Sequence, residues 1–213
     1  MRKPDWLRTA VPAGAGFEAT NERLRAYGVN TVCSSARCPN LAECWGRGTT
    51  TFMILGDTCT RHCRFCAVKT GNPQGTSDET EPERVARAVA ELKLFYVVLT
   101  SVDRDDLTDL GAGVFARTVR QVKMQSAEGR MQNDPAASLA PRPASPLVEV
   151  LTPDFGGREE LIRQVVDARP DVFGHNLETV ERRTPGVRDP RVSYRRSLDV
   201  LTAVKRMAPG LTV

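Results

Sequence analysis

Six cysteines crowd into one window, between Cys33 and Cys66, and no other position of the 213-residue chain carries one. They form two triplets of different rhythm. Cys33, Cys38 and Cys44 follow C-x4-C-x5-C, and Cys59, Cys63 and Cys66 follow C-x3-C-x2-C. A stretch this rich in thiols folds around whatever the thiols hold, so it constrains the chain more than any composition figure. Disulfide frameworks belong to small secreted proteins, and the N-terminus has Pro4 and Asp5 where an export signal needs an apolar run. Structural zinc prefers four ligands, often as two closely spaced pairs, and neither His62 nor His175 is spaced to complete such a set. A cubane 4Fe–4S cluster takes one thiolate per iron, so three cysteines leave one iron open. An open position is where a metal site does chemistry. Two triplets therefore read as two clusters, each with a place for a ligand other than cysteine.

The rest of the chain must supply a scaffold. Hydrophobic residues make up 40%, which fits a folded, soluble chain long enough for a sizeable core. No apolar run approaches the ~20 residues that span a bilayer. The formal charge is +4, from 30 basic and 26 acidic residues without a basic block, which argues against nucleic acid.

After residue 50, strand and helix signals alternate. Residues 51–55 form a short apolar strand that delivers the second cysteine loop. Pro82 opens a helix with Val85, Val89 and Leu92 on one face. Residues 95–99 and 147–151 have buried-strand composition, and between them a helix carries Val114, Phe115, Thr118, Val119 and Val122. Leu161, Ile162, Val165 and Val166 predict a third helix, stopped by Pro170, before a short strand at 171–173. Tyr194, Leu198 and Leu201 mark a fourth helix, and 211–213 read as the start of a fifth strand. This alternation predicts an α/β fold with a parallel sheet and helices outside it. Right-handed crossovers would curl it into a partial (β/α) barrel whose active face lies at the strands' C-terminal ends. Thr100, Ser101 and Asp103 fall there, as do Thr152, Asp154, His175 and Asn176. Each alone could be an ordinary helix cap; their shared rim points to ligand contact.

The second triplet, with Phe65 just before its last cysteine, resembles the signature of radical S-adenosylmethionine (SAM) enzymes. The upstream triplet narrows the resemblance to the lipoyl synthase family, as do the stretches 31–48, 56–61, 98–107, 149–155 and 175–180 in that order. The resemblance runs from about Lys3 to the last residue. It implies a radical SAM partial barrel over 51–213, incomplete after about four β/α units, preceded by an extension, 1–50, that bears the auxiliary-cluster cysteines.

The resemblance implies two 4Fe–4S clusters and S-adenosyl-L-methionine as cofactors. Cys59, Cys63 and Cys66 would hold the cluster whose open iron SAM chelates, and Cys33, Cys38 and Cys44 an auxiliary cluster that gives up sulfur. Phe65 would lie near the adenine. Thr100, Ser101, Asp103, Glu149, Asn176 and Arg188 become candidates for the cofactor's polar groups, with no catalytic side chain beyond the cluster ligands. The implied activity is a sulfurtransferase one: two sulfur atoms enter an octanoyl chain carried on a lysine of a lipoyl carrier protein. The implied partners are that octanoylated carrier and an electron donor of the ferredoxin or flavodoxin kind. Six thiols that must stay reduced, without a targeting signal, point to the cytoplasm.

Two features depart from the family pattern. Residues 124–146 are rich in Ala, Pro and Ser without periodicity and read as a flexible insertion. The chain also stops as its fifth strand begins, whereas the family continues through two more strands to an Arg-Ser-Ser-Tyr segment whose serine caps the auxiliary cluster. The chain is thus expected to be C-terminally truncated, with no recognisable fourth ligand for the first triplet. Two alternatives follow: a non-catalytic iron–sulfur-binding fragment of that family, or a biotin-synthase-like radical sulfur inserter, in which the upstream triplet has no role.

Overall fold

The computed structural model describes residues 15–35, 38–128 and 145–213. The N-terminal part contains α1 (Ala15–Ala26), β1 (Asn30–Thr31), α2 (Val32–Ser35) and α3 (Leu41–Gly46), followed by β2 (Thr49–Ile54). Two short strands, β3 (Thr58–Cys59) and β4 (Lys69–Thr70), bracket the second cysteine triplet. The alternating portion continues with α4 (Glu81–Glu91), β5 (Tyr96–Ser101), α5 (Ala112–Glu128), β6 (Leu147–Leu151), α6 (Glu159–Val166) and β7 (Val172–Gly174). It closes with α7 (Thr184–Val187) and α8 (Tyr194–Met207).

The main sheet has the order β1-β2-β5-β6-β7. Its last four strands are parallel, and β1 alone runs antiparallel, against β2. The fold is α/β with a mostly parallel sheet, as the alternation predicts. Side chains point to opposite faces along each strand, and here the two faces differ. Phe52, Ile54, Val97, Leu99, Val148, Val150 and Phe173 are fully buried, as are Val89, Phe115, Val119, Val122 and Val165 on the covering helices α4, α5 and α6. Each such side chain contributes about 1.5–3 kcal/mol on burial. Thr51, Val98, Thr100, Glu149 and Leu151 alternate with these strand residues and are only half-buried.

Three expectations shift. α5 does not stop at Met124 but runs to Glu128, because Met, Gln, Ala and Glu sustain a helix beyond its last core residue, Val122; residues 129–144 of the expected insertion lie outside the described residues. In α8, Tyr194, Leu198 and Leu201 are half-buried. The deeply buried stripe is Ser197, Val200, Ala203 and Val204, small side chains that let α8 pack closely on α6. The expected fifth strand is present only as a bridge between Val172 and Thr212, with Phe173 N donating to Thr212 O at 2.9 Å.

The N-terminal part docks on the sheet through β1 and through α3, whose Leu41 and Trp45 are buried. Phe17 stacks on Trp45 with centroids 5.3 Å apart. Where β2 ends, Leu55 (φ 68°) and Gly56 (φ 86°) both adopt left-handed backbone and throw the chain into the cysteine loop. Such a conformation is costly for leucine and needs support from its surroundings. The buried Glu81 carboxylate accepts the Leu55 amide at 2.7 Å, and the Leu55 side chain fills the space beside Gly111, where an added Cβ would lie 2.2 Å from Leu55 Cδ1. Among the described residues no helix is long and apolar enough to cross a membrane.

Candidate functional site

The loop after β2 brings the second triplet to the C-terminal edge of the sheet. Backbone amides point at its sulfurs. Cys59 Sγ accepts from Asp103 N at 3.3 Å and from Arg61 N at 3.4 Å, and Cys63 Sγ accepts from Asp189 N at 3.4 Å. Burial pushes the Cys59 thiol up, and these amides oppose it. Cys63 is half-buried, while Cys66 and Phe65 are exposed.

Arg61, inside the loop, is only 6% exposed and faces three carboxylates. Its Nη2 donates to Asp105 at 2.8 Å and to Asp154 at 2.9 Å, Nε bonds Asp105 at 3.0 Å, and Nη1 lies 3.2 Å from Asp103. A buried cation is tolerated only when paired in this way. Burial works against its charge, and Asp105, Asp103 and Asp154 more than reverse that effect, so its pKa is raised. The same guanidinium outweighs burial at Asp154 and holds that carboxyl below the usual range. At Asp103 burial prevails and pushes the carboxyl up to about 6. Arg61 thus anchors the loop to the segments that follow β5 and β6.

The structure sorts the other rim residues. Asp103, besides facing Arg61, sits 3.9 Å from Cys59 Sγ. Asp154 both pairs with Arg61 and caps the turn at Phe155–Gly157, so the capping and ligand-loop readings hold together there. Thr100 Oγ1 donates to Leu151 O at 2.8 Å. Glu149 lies deeper, accepting from the Tyr96 hydroxyl at 2.6 Å; burial and that bond push Tyr96 up to about 12. Asn176 is exposed, and its carbonyl accepts from Arg188 Nη1 at 3.1 Å. His175 is buried, its Nδ1 2.9 Å from Thr152 O; burial lowers its pKa, so Nδ1 carries the proton and Nε2 is left as an acceptor. His62 is exposed.

The first triplet rides on the N-terminal helices. Cys33 is buried in α2, Cys44 lies on α3, and Cys38 N donates to Cys33 O at 3.0 Å. Burial raises the Cys44 thiol, and the nearby Cys33 and Cys38 raise it further. Among the described residues, no group of His, Cys, Asp and Glu converges as round a single metal ion; the thiolates of a cubane each bind a different iron and need no such convergence. The donor set fits clusters: soft thiols, with amides already directed at two sulfurs of the second triplet. The rim also holds buried polar atoms without partners, Ser101 Oγ, His175 Nε2 and Arg188 Nε, which suit a polar cofactor. A cleft of about 490 Å³ opens beside the loop's first residues, lined by Asn30, Gly56, Thr58, Glu81, Arg84 and Arg104, and contains none of the cysteines.

Sequence reasoning missed Arg61, Asp105, Asp189 and Arg191 as parts of the site. The available signal was an arginine inside the cysteine loop together with the downstream run Asp103-Arg104-Asp105-Asp106.

Residues 53–212 match the model of the Radical SAM superfamily, and residues 1–38 match that of the N-terminal domain of lipoyl synthase of the Radical SAM family. The chain is 52% identical over 209 residues to the lipoyl synthase of Methanocella arvoryzae, covering 98% of this chain and 65% of that protein. It is 52% identical over 207 residues to that of Pyrobaculum calidifontis (97% and 65%) and 49% identical over 215 residues to the mitochondrial lipoyl synthase of Schizosaccharomyces pombe (99% and 54%). The chain therefore spans between 54% and 65% of the length of these three relatives.

Proposed function

The chain belongs to the Radical SAM superfamily, and from that premise we propose that it acts as a lipoyl synthase, a sulfurtransferase that inserts two sulfur atoms into the octanoyl chain of a lipoyl carrier protein. The superfamily implies an iron–sulfur cluster and SAM; the proposal adds a second cluster. Its main support is the placement of the two triplets. Antiparallel pairing of β1 with β2, Thr31 opposite Phe52, sends the chain back toward the start of β2. The first triplet then lies toward that end of the strand and the second beyond its other end. A chain-like substrate lying along the half-buried face would have one thiol group near each end.

In this reading Cys59, Cys63 and Cys66 hold the cluster that engages SAM, and Cys33, Cys38 and Cys44 hold the sulfur donor. Bound there, cluster and SAM supply the one-electron chemistry that takes hydrogen from an unactivated carbon, which no side-chain acid or base can do. The protein's own task is placement and exclusion of water. Arg61 and its carboxylates fix the loop. Phe65 offers an exposed ring for the adenine, and Thr100, Ser101, Asp103, Asn176 and Arg188 surround the polar end. Glu149, already bonded to Tyr96 through Oε2, would offer the cofactor its other carboxylate oxygen. Residues 51–213 form a partial barrel, and residues 1–50 an extension that bears the auxiliary cysteines. The partners are the octanoylated carrier and a ferredoxin- or flavodoxin-like donor, in the cytoplasm.

Anaerobic reconstitution followed by incubation with SAM and an octanoylated peptide tests this. The expected result is about eight irons per chain, four per cubane, with deoxyadenosine and lipoyl product. Clusters without product would overturn the assigned activity, and about four irons would overturn the second cluster.

A further inference from the structure

A second set of bonds runs along the cysteine loop, from a segment far away in sequence. Val187 O accepts from Arg64 N at 2.9 Å. Asp189 Oδ2 accepts from His62 N at 2.8 Å, and Asp189 N donates to Cys63 Sγ at 3.4 Å. Arg191 Nη2 donates to Thr60 O at 2.6 Å. As the segment advances from 187 through 189 to 191, its partners retreat from 64 through 63 and 62 to 60. The segment lies antiparallel to the loop, with alternate residues turned toward it.

Its central residue is built to hold still. Asp189 is 5% exposed, and its carboxylate also accepts from Arg191 N at 3.0 Å, Nε at 2.8 Å and Nη2 at 3.0 Å. The Arg191 bond leads the causes that hold the Asp189 carboxyl far below the usual range. Pro190, between the two, fixes its own φ and has no amide to satisfy. Arg191 reaches on to Asp105 at 3.1 Å, joining the strap to the Arg61 cluster. In the other direction Arg188 bonds the Asn176 carbonyl.

We infer that residues 187–191 are a strap that positions the cysteine loop, with Asp189 and Arg191 as its positioning residues, and that the strap sets the hydrogen bond on Cys63 Sγ. The tuning part rests on the reading of Cys63 as a cluster ligand. Hydrogen bonds to cluster sulfurs are among the determinants of reduction potential: a donated N–H stabilises the more negative, reduced state and raises the potential. The strap therefore holds the second cluster easier to reduce than the loop alone would, and it links that setting to the rim residues Arg188 and Asn176.

The test uses the full chain with Asp189→Ala, Asp189→Asn and Arg191→Ala. Hydrogen exchange at the His62 and Arg64 amides reads the strap without needing a cluster. Loss of a buried charged acceptor predicts exchange at least ~10-fold faster in Asp189→Ala. A smaller rise is expected in Arg191→Ala, and near wild-type protection in Asp189→Asn, which keeps an oxygen for His62 N. In the reconstituted chain, a spectroscopic titration should find the midpoint potential more negative in Asp189→Ala and returned toward wild type in Asp189→Asn. Unchanged exchange in both alanine variants overturns the strap. Faster exchange with an unmoved potential overturns the tuning. Should Asp189→Ala fail to fold by circular dichroism, the half-exposed Arg191→Ala decides by the same two readings. A wild-type chain that takes up no cluster refutes the reading of the triplet instead, and exchange still decides the strap.

Discussion

Replacing Arg61 by glutamine isolates the interaction on which the loop depends. The substitution removes a cation that is 6% exposed and leaves Asp103, Asp105 and Asp154 facing one another. Asp154 is the most exposed to loss: its side chain is 1% accessible, and the remaining cation, Arg196, stands 3.3 Å away and is 35% accessible. Breaking a buried pair by deleting one partner costs about 3–5 kcal/mol. For a domain of this size that corresponds to a fall in Tm of ~6–20 °C. Arg84→Gln is the control, since Arg84 and its partner Asp78 are 31% and 50% accessible, and an exposed pair contributes less than about 1 kcal/mol. The pH dependence gives a second signature. Arg61 holds the Asp154 carboxyl below its ordinary value, so this part of the stability is present above that value and is lost as pH falls through the lowered one. The gap between wild type and Arg61→Gln should therefore be widest near neutrality and shrink below about pH 4. Anaerobic urea denaturation at several pH values measures it. A gap under ~1 kcal/mol at pH 7, or one that stays constant on acidification, refutes the argument.

Asp106 predicts a separate acid response. Arg104 bonds it at 2.8 Å through Nε, and that bond lowers its carboxyl to about 2. Against Asp106→Asn, wild type should lose about 2 kcal/mol between pH 4 and pH 2 and nothing extra above pH 5, as paired denaturation curves would show. Gly111→Ala forces a side chain at φ +87° into Leu55 and should cost about 2–3 kcal/mol; a melting temperature equal to wild type would contradict the close approach. Cys63→Ala should abolish deoxyadenosine formation, whereas Cys38→Ala should spare it and remove sulfur insertion. The reverse pattern, read by chromatography of the products, would exchange the roles of the two triplets.

Much of the scaffold was legible because its signals are local. β6 occupies the predicted residues 147–151, where Pro146 bounds a run of β-branched and leucine positions, and α6 buries the four predicted side chains. α8 was harder to read: its buried stripe contains Ser197 and Ala203, whose hydrophobicity cannot mark a face. The two-residue strands β1, β3 and β4 are too short to show any period. At the site, cysteine spacing is a one-dimensional pattern and showed plainly. The partners of Arg61 lie 44 and 93 residues away, a pairing that charge order along the chain does not specify. Glu149 entered as a cofactor candidate through the family resemblance, without reference to its place in the strand. Strand alternation sets it on the half-buried face, next to the Tyr96 hydroxyl.

The same sequence distances bear on the order of assembly. Asp105, Asp154 and Asp189, which give the cysteine loop its shape, lie 44, 93 and 127 residues downstream of the loop residues they bond, so they leave the ribosome after it. Contacts so far apart in sequence form late, because loop closure comes before the reward. The three thiols of the second triplet thus pass through a nascent stage in which they are synthesised but not yet shaped. Iron delivered during that interval would meet a pliant ligand set, whereas iron delivered after α8 forms would meet one already strapped down. The fold makes the moment of metal loading a kinetic choice.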